Sequence, residues 1–306
     1  MNSYSLSAKN EITGLSFSTD CCKRAFLSAL VHTGGSLLIS RDGMKIALYG
    51  LSRVLKEKLT ELVGELADGV SVMNDGADTF LLGNGLITAL YGLGIFVRAE
   101  NGETAVSRGI LPPLIAQDCC AVNFIRGAFL GAGSVSLRAG YHLEFVLSAR
   151  ELACDLKALL ERFGIKNVKI TQRKDKYVAY IKESEAVSDC LALMGASEAV
   201  LELNSQLIIR QFRQETNRRT NCEMANLSKT VNASVRQIED INYIRKKAGL
   251  DSLPEKLLIV AKARLDFPDE SFAFLADRLN LSKSTLKNRL LKIGVIAKEL
   301  REKKEK

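Results

Sequence analysis

Between Lys283 and Lys292 the chain gathers the side chains that recognition of a polyanion requires: Lys283, Ser284, Thr285, Lys287, Asn288, Arg289 and Lys292. Ser284 and Asn288 are one helical turn apart, and short polar side chains of this kind can hydrogen-bond base edges. The lysines and the arginine beside them can neutralise phosphates. Setting Leu286, Leu290 and Ile293 on a buried side, at about 100° per residue, turns Ser284 and Asn288 outward. Lys287, Leu291 and Lys292 then flank them, with Lys283 in the first turn. A second basic run holds Arg210, Arg213, Arg218 and Arg219. Arg218 and Arg219 are its candidate phosphate contacts, although a solvated helix would carry the same charges.

The other reactive residue types point to no bond-making or bond-breaking chemistry. Cys21-Cys22 and Cys119-Cys120 are adjacent pairs, and Cys154, Cys190 and Cys222 stand alone. Seven cysteines without a C-x-x-C pair, and with only His32 and His142 as histidine partners, read as small buried thiols rather than a disulfide framework or zinc site. Asp20 and Asp118 each precede an apolar run, where aspartate caps free helix N–H groups. His32 reads as a packed or surface histidine rather than a catalytic one. No catalytic residue, metal ligand or cofactor is expected.

The candidate recognition residues need a scaffold, and the residues from Phe272 to Leu291 describe one. Ala276 is small enough for a second helix to cross it. Asn280, four residues on, tolerates the left-handed conformation of a tight turn. Ser282 caps the second helix. Leu275, Leu279, Leu281, Leu286 and Leu290 face inward. The pattern is a helix-turn-helix, with its second helix set to enter a major groove. Upstream, Leu227, Val231, Val235, Ile238, Ile241 and Ile244 predict an amphipathic helix ending near Gly249. Ser252-Leu253-Pro254 opens another, with Leu257, Leu258, Ala261 and Leu265 inward. The tail, Lys298–Lys306, is expected to be disordered.

Charge supports that placement. Residues 205–306 carry 22 Lys and Arg against 13 Asp and Glu, a net of +9, which leaves residues 1–204 at −1. The excess positive charge therefore belongs to the C-terminal third, as a polyanionic partner would require. No apolar stretch is long enough for a membrane span, and the N-terminus lacks the pattern of a secretory signal. A cytoplasmic, nucleoid-associated protein is expected, with no membrane partner.

The first two hundred residues contain a duplication. Asp20-Cys21-Cys22 recurs as Asp118-Cys119-Cys120, and Phe26, Gly35 and Ser36 meet Phe124, Gly133 and Ser134 at the same offset. Each copy reads as an apolar helix (Ala25–His32; Asn123–Leu130) and a hairpin (Ser36–Ser40 with Lys45–Tyr49; Ser134–Arg138 with His142–Leu147). An amphipathic helix comes next (Arg53–Leu66; Arg150–Phe163), then a second hairpin (Val70–Met73 with Thr79–Leu82; Val168–Thr171 with Tyr177–Lys182) and a closing helix. The expected fold is α+β: an αββαββα unit present twice about a pseudo-twofold axis, followed by an all-α domain. Its expected domains are 1–203, with repeats about 1–100 and 113–200, a basic linker helix 204–225, and a helix-turn-helix domain 226–306.

The segments Leu27–Gly35 and Ile125–Gly133, inside this duplication, resemble the LAGLIDADG homing-endonuclease fold. The resemblance implies close packing of the two helices through Ala29 and Gly127. It also puts the nucleases' metal-binding acids at Gly34 and Ala132, where this chain has no carboxylate to hold a cation. The run Ser282-Lys283-Ser284-Thr285-Leu286-Lys287-Asn288-Arg289-Leu290 is similar to region 4 of sigma factors. With Asn221–Thr230 and Gly249–Pro254, the whole chain resembles the WhiA family. That resemblance implies a bacterial transcription regulator of Gram-positive lineages, linked to cell division and, in spore formers, sporulation. It would bind double-stranded promoter DNA and could hold a protein partner through its N-terminal domain. The competing reading is a DNA-cleaving enzyme of homing-endonuclease type with unrecognised metal ligands.

Overall fold

The computed structural model describes residues 3–41, 43–137 and 140–302, and the chain divides into two compact units, Met1–Ile208 and Ile209–Lys306. In the first unit, α1 (Tyr4–Thr13) precedes two copies of one arrangement. The first copy comprises α2 (Asp20–Gly34), β1 (Gly35–Ser40), β2 (Gly43–Tyr49), α3 (Arg53–Leu66), β3 (Ser71–Asp75), β4 (Asp78–Leu82) and α4 (Leu86–Gly92). A short hairpin, β5 (Phe96–Arg98) and β6 (Thr104–Val106), leads to the second copy. That copy comprises α5 (Asp118–Ala132), β7 (Gly133–Ser136), β8 (His142–Leu147), α6 (Arg150–Arg162), β9 (Lys169–Arg173), β10 (Lys176–Ile181) and α7 (Ser184–Leu193). The antiparallel sheets have the same order, β1-β2-β4-β3 and β7-β8-β10-β9. The α+β duplication expected from the repeat is the fold.

The repeats meet along α2 and α5, where glycine lets the backbones approach. A Cβ on Gly127 would lie 2.2 Å from the Phe26 carbonyl oxygen and 2.9 Å from the Ala29 Cβ, closer than real atoms allow. The residues that could not be hydrophilic are the ones this packing encloses: Phe26, Leu30, Phe124, Ala128 and Phe129 are all buried. Outside that pair, α3 buries Leu55, Leu59, Leu62 and Val63, and α6 buries Leu152, Leu156, Leu159 and Leu160. Their three- and four-residue spacing is what makes each helix cover its sheet.

Several boundaries differ from the sequence reading. The paired helices begin about one turn earlier than their apolar runs, and Cys22 and Cys120 of those first turns join the core. Asp20 and Asp118 consequently lie inside the first turns and do not cap them. Thr19 and Gln117 hold the cap positions, without side-chain cap hydrogen bonds. Asp20 pairs instead with Lys23 at 3.0 Å, and Asp118 with Arg162. Both carboxylates still favour the positive ends of their helices. The strand expected over Ser134–Arg138 ends at Ser136, and Arg138 lies outside the described residues.

A basic helix over 204–225 followed by a separate one also gives way to a single helix, α8 (Ser197–Lys247). Neither Pro nor Gly occurs within it, so nothing in the chain interrupts its hydrogen-bond ladder. Its start is held from α1: the Glu11 carboxylate accepts from the backbone N–H groups of Glu198 and Ala199 at 2.8 and 3.2 Å. Gly249, at φ 78°, ends the run. The second unit then adds α9 (Glu255–Asp266), α10 (Phe272–Arg278) and α11 (Lys283–Glu302). Helix α11 continues into the segment expected to be disordered, as far as Glu302; 303–306 lie outside the described residues.

Candidate nucleic-acid interface

The turn between α10 and α11 forms as its residue types require. Ser271 accepts from the Phe274 N–H at 3.2 Å to start α10, and Ser282 accepts from the Thr285 N–H at 3.1 Å to start α11. Each such cap is worth about 1 kcal/mol. Asn280 adopts φ 50°, and the Leu281 N–H closes the turn onto the Ala276 carbonyl at 2.8 Å. Ala276 and Leu275 are buried beneath it.

Helix α11 is positioned by one face only. Leu286, Leu290, Ile293 and Ala297 are buried against a core that includes Leu257, Val260 and Ala261 of α9 and Ile241 and Ile244 of α8. Further along, Arg301 reaches Asp240 at 2.8 Å and lies over the Tyr243 ring. Opposite the buried stripe, Lys283, Ser284, Lys287, Asn288, Leu291 and Lys292 are exposed. The structure separates the remaining candidates from this face. Thr285 is half-buried and its hydroxyl joins the Ser282 cap at 2.8 Å, whereas half-buried Arg289 reaches towards the Lys256 carbonyl at 3.5 Å. Arg218 and Arg219 are exposed on α8, where Arg219 pairs with Glu223 at 3.0 Å.

Sequence reasoning missed the residue that braces this region. Arg264 is 1% exposed, donates to the Glu270 carbonyl at 2.8 Å and packs its guanidinium over the Phe272 ring. Burial lowers its pKa, so the charge is held there by carbonyl dipoles. An arginine beside the inward positions Ala261 and Leu265 carries no local signal of burial; only the loop folding back over it encloses the side chain.

In the first unit, the positions equivalent to the nuclease acids carry no carboxylate. At Gly34 there is no room for one: a Cβ would lie 2.9 Å from the Gly131 Cα. Nearby, the His32 ring meets the Ser107 carbonyl at 2.9 Å, and burial lowers its pKa below the ordinary 6.5. The packed-histidine expectation accounts for it.

The cysteines depart from the expectation of buried thiols. Cys22, Cys120 and Cys190 are buried, but Cys21, Cys119, Cys154 and Cys222 are exposed. Both adjacent pairs come together at the starts of α2 and α5. Burial opposes ionisation of Cys22, yet hydrogen bonds from Ser18, Thr19, Cys119 and Cys120 outweigh it and bring the thiol down to about 7. Burial is also the main reason Cys120 is pushed well above the ordinary thiol range. The signal for this convergence was present in the repeated Asp-Cys-Cys string, once the repeats are related by a twofold axis.

Comparison with known proteins places both units. A family model described as the WhiA C-terminal HTH domain matches residues 216–297, and one described as the WhiA LAGLIDADG-like domain matches 121–213. The chain is 34% identical over 311 residues to a probable cell division protein WhiA of Alkaliphilus metalliredigens, covering 96% of this chain and 97% of that one. A probable cell division protein WhiA of Clostridium acetobutylicum is 48% identical over 208 residues, 67% of this chain and 65% of that one. A crystal structure of full-length WhiA from Thermatoga maritima superposes with a TM-score of 0.57 at 24% identity, over 97% of this chain and 99% of that one.

Proposed function

The chain belongs to the WhiA family, and from that premise we propose that it is a non-catalytic, sequence-specific transcription regulator acting in cell division and, in a spore former, in sporulation. The observation that carries the reading is the outward face of α11, where Lys283, Ser284, Lys287, Asn288 and Lys292 surround an exposed Leu291 opposite a fully apolar buried stripe. Ser284 and Asn288 read base edges in the major groove. Lys283, Lys287 and Lys292 neutralise phosphates, with Thr285 and Arg289 holding the helix to its cap and to α9. Arg218 and Arg219 supply further phosphate contacts from α8. The partner is promoter DNA, and the protein works in the cytoplasm on the nucleoid. Among the described residues no helix is long and apolar enough to cross a membrane.

The domain division that fits this reading is a repeat domain over 1–203, a basic segment over 204–225 within α8, and a DNA-binding domain over 226–306. The repeat domain also offers a surface for a protein partner, where Tyr49 and Met73 are exposed on the first sheet.

Genome-wide binding of the tagged chain supplies promoter fragments for the test. Lys287→Ala with Lys292→Ala should weaken binding to all fragments and reduce the slope of log K against log salt by about 1.8, two phosphate contacts' worth. Asn288→Ala should instead relax base preference by about 1–3 kcal/mol at one position. Unchanged binding by both, with circular dichroism intact, would remove α11 from the interface. Plasmid nicking that requires magnesium or manganese and stops with EDTA would favour the enzyme reading instead.

A further inference from the structure

The duplication does something to the cysteines that neither copy could do alone. Cys21 and Cys22 occupy the first turn of α2, and Cys119 and Cys120 the first turn of α5. Because α2 and α5 pack side by side, the two turns face one another. The sulfurs of Cys21, Cys22 and Cys120 all lie within 4.8 Å of one another, with Cys120 to Cys21 at 3.2 Å. Cys119, next to Cys120 in the same turn, lies outside that group with its thiol 3.6 Å from the Gln117 side-chain oxygen, and a rotation of its exposed side chain would bring in a fourth sulfur.

We propose that these four cysteines form a thiolate site for zinc that staples the two repeats together at the N-terminal ends of α2 and α5. Four sulfurs at Zn–S distances of about 2.3 Å around a tetrahedral centre stand roughly 3.8 Å apart. The spacing of the three clustered sulfurs brackets that value, whereas a disulfide would require Cys21 and Cys120 to close to about 2.05 Å. An all-thiolate set selects soft cations over magnesium or calcium. Binding is balanced as a proton exchange: Zn²⁺ enters, up to four S–H protons leave to solvent, and the resulting tetrathiolate carries two negative charges.

Two surrounding features suit that charge. Both helix N-termini point their partial positive charge at the sulfurs. The hydroxyl of Thr19 lies 3.0 Å from Cys21 and 3.2 Å from Cys22, and that of Ser18 lies 3.4 Å from Cys22, so the sulfurs already have hydrogen-bonding neighbours to orient them. The site is distinct from the nuclease metal position. Gly34 is thirteen residues along α2 from Cys21, roughly 20 Å at 1.5 Å per residue.

The test uses the full-length protein purified under reductant. After equilibration with ZnCl₂ and gel filtration, mass spectrometry of the metal content should give one zinc per chain. Replacement by Co²⁺ should produce a thiolate-to-cobalt charge-transfer band with the d–d bands of a tetrahedral site. Cys21→Ser and Cys119→Ser, both exposed and tolerant of change, should remove the band or shift it to fewer thiolates. Cys154→Ser and Cys222→Ser should leave it unchanged. No retained metal, an octahedral cobalt spectrum, or metal lost equally from the Cys154→Ser control would overturn the proposal. So would disappearance of the four thiols into disulfides under reductant without metal uptake. If the cysteine variants misfold, the wild-type cobalt spectrum alone decides.

Discussion

The two four-stranded sheets share a backbone and differ in what they show to solvent. Their inner faces match: Ile46, Leu48 and Leu81 in the first, Leu143, Phe145 and Ile181 in the second, all buried. The alternate residues face the other way. Pairing Gly35 with Leu48 and Gly133 with Phe145 sets the correspondence, by which Ala47 answers to Glu144 and Lys45 to His142. Met73, opposite Phe80, answers to Lys169, opposite Tyr180; Leu82 answers to Lys182. The second outward face thus gathers His142, Lys169, Arg173 and Lys182 around Glu144, and His142, Arg173 and Lys182 border a cavity of about 590 Å³. The first carries Tyr49, Met73 and Phe80, with Lys45 as its cation, 4.5 Å from the Phe80 ring centre. Packing constrains the inner faces of a duplicated fold, and only partners constrain the outer ones. The second sheet is the more basic of the two, with His142 and Arg173 paired to Glu144.

The correspondence of the sheets depends first on the axis that relates them. Gly127→Val would drive a side chain into the Phe26 carbonyl and should cost about 3 kcal/mol or more in urea unfolding. A loss under about 1 kcal/mol would mean that the helices do not approach this closely.

The chemical difference between the outer faces can be exchanged. Met73→Lys with Leu82→Lys places cations at the register positions of Lys169 and Lys182. If the sheets can meet DNA, this should steepen the salt dependence of binding by up to about 1.8, and Lys169→Ala with Lys182→Ala should flatten it by as much. Fluorescence anisotropy across a salt series reads both changes. Unaltered slopes in both variants would confine DNA contact to the second unit.

The smallest expected effect concerns a titrating group present in one repeat only, since Leu130 stands where His32 would. Burial lowers the folded pKa of His32, so the unfolded chain binds its proton more readily. Its contribution to stability is therefore full above the unfolded value near 6.5 and is lost as pH falls through that value towards the lowered one. The melting temperature should drop further between pH 7.5 and 5.5 in the parent than in His32→Leu. An equal drop in both would place the pH sensitivity elsewhere.

Much of this was legible from spacing. The helix-turn-helix residues are recognisable locally, since Ala276, Asn280 and Ser282 each answer a demand made within a few residues by the turn. The candidate face was legible for the same reason: Leu286, Leu290 and Ile293 define it from one helix. Thr285 and Arg289 were harder, because their surroundings are made by the cap and by the distant helix α9. The hairpin β5–β6 and helix α1 escaped notice through their brevity and weak periodicity.

The amino-acid sequence by itself determined the duplication, the strand and helix periodicities, the turn chemistry and the absence of acids at positions 34 and 132, because each depends on residue type and short-range order. Tertiary structure alone decided which residues met across the repeats. It buried Arg264 under a loop, closed Gly34 against Gly131, and brought Cys120 into one cluster with Cys21 and Cys22, some 98 residues away. It also revealed a basic sheet face inside a region whose net charge is −1, because a sum over residues discards direction and folding restores it.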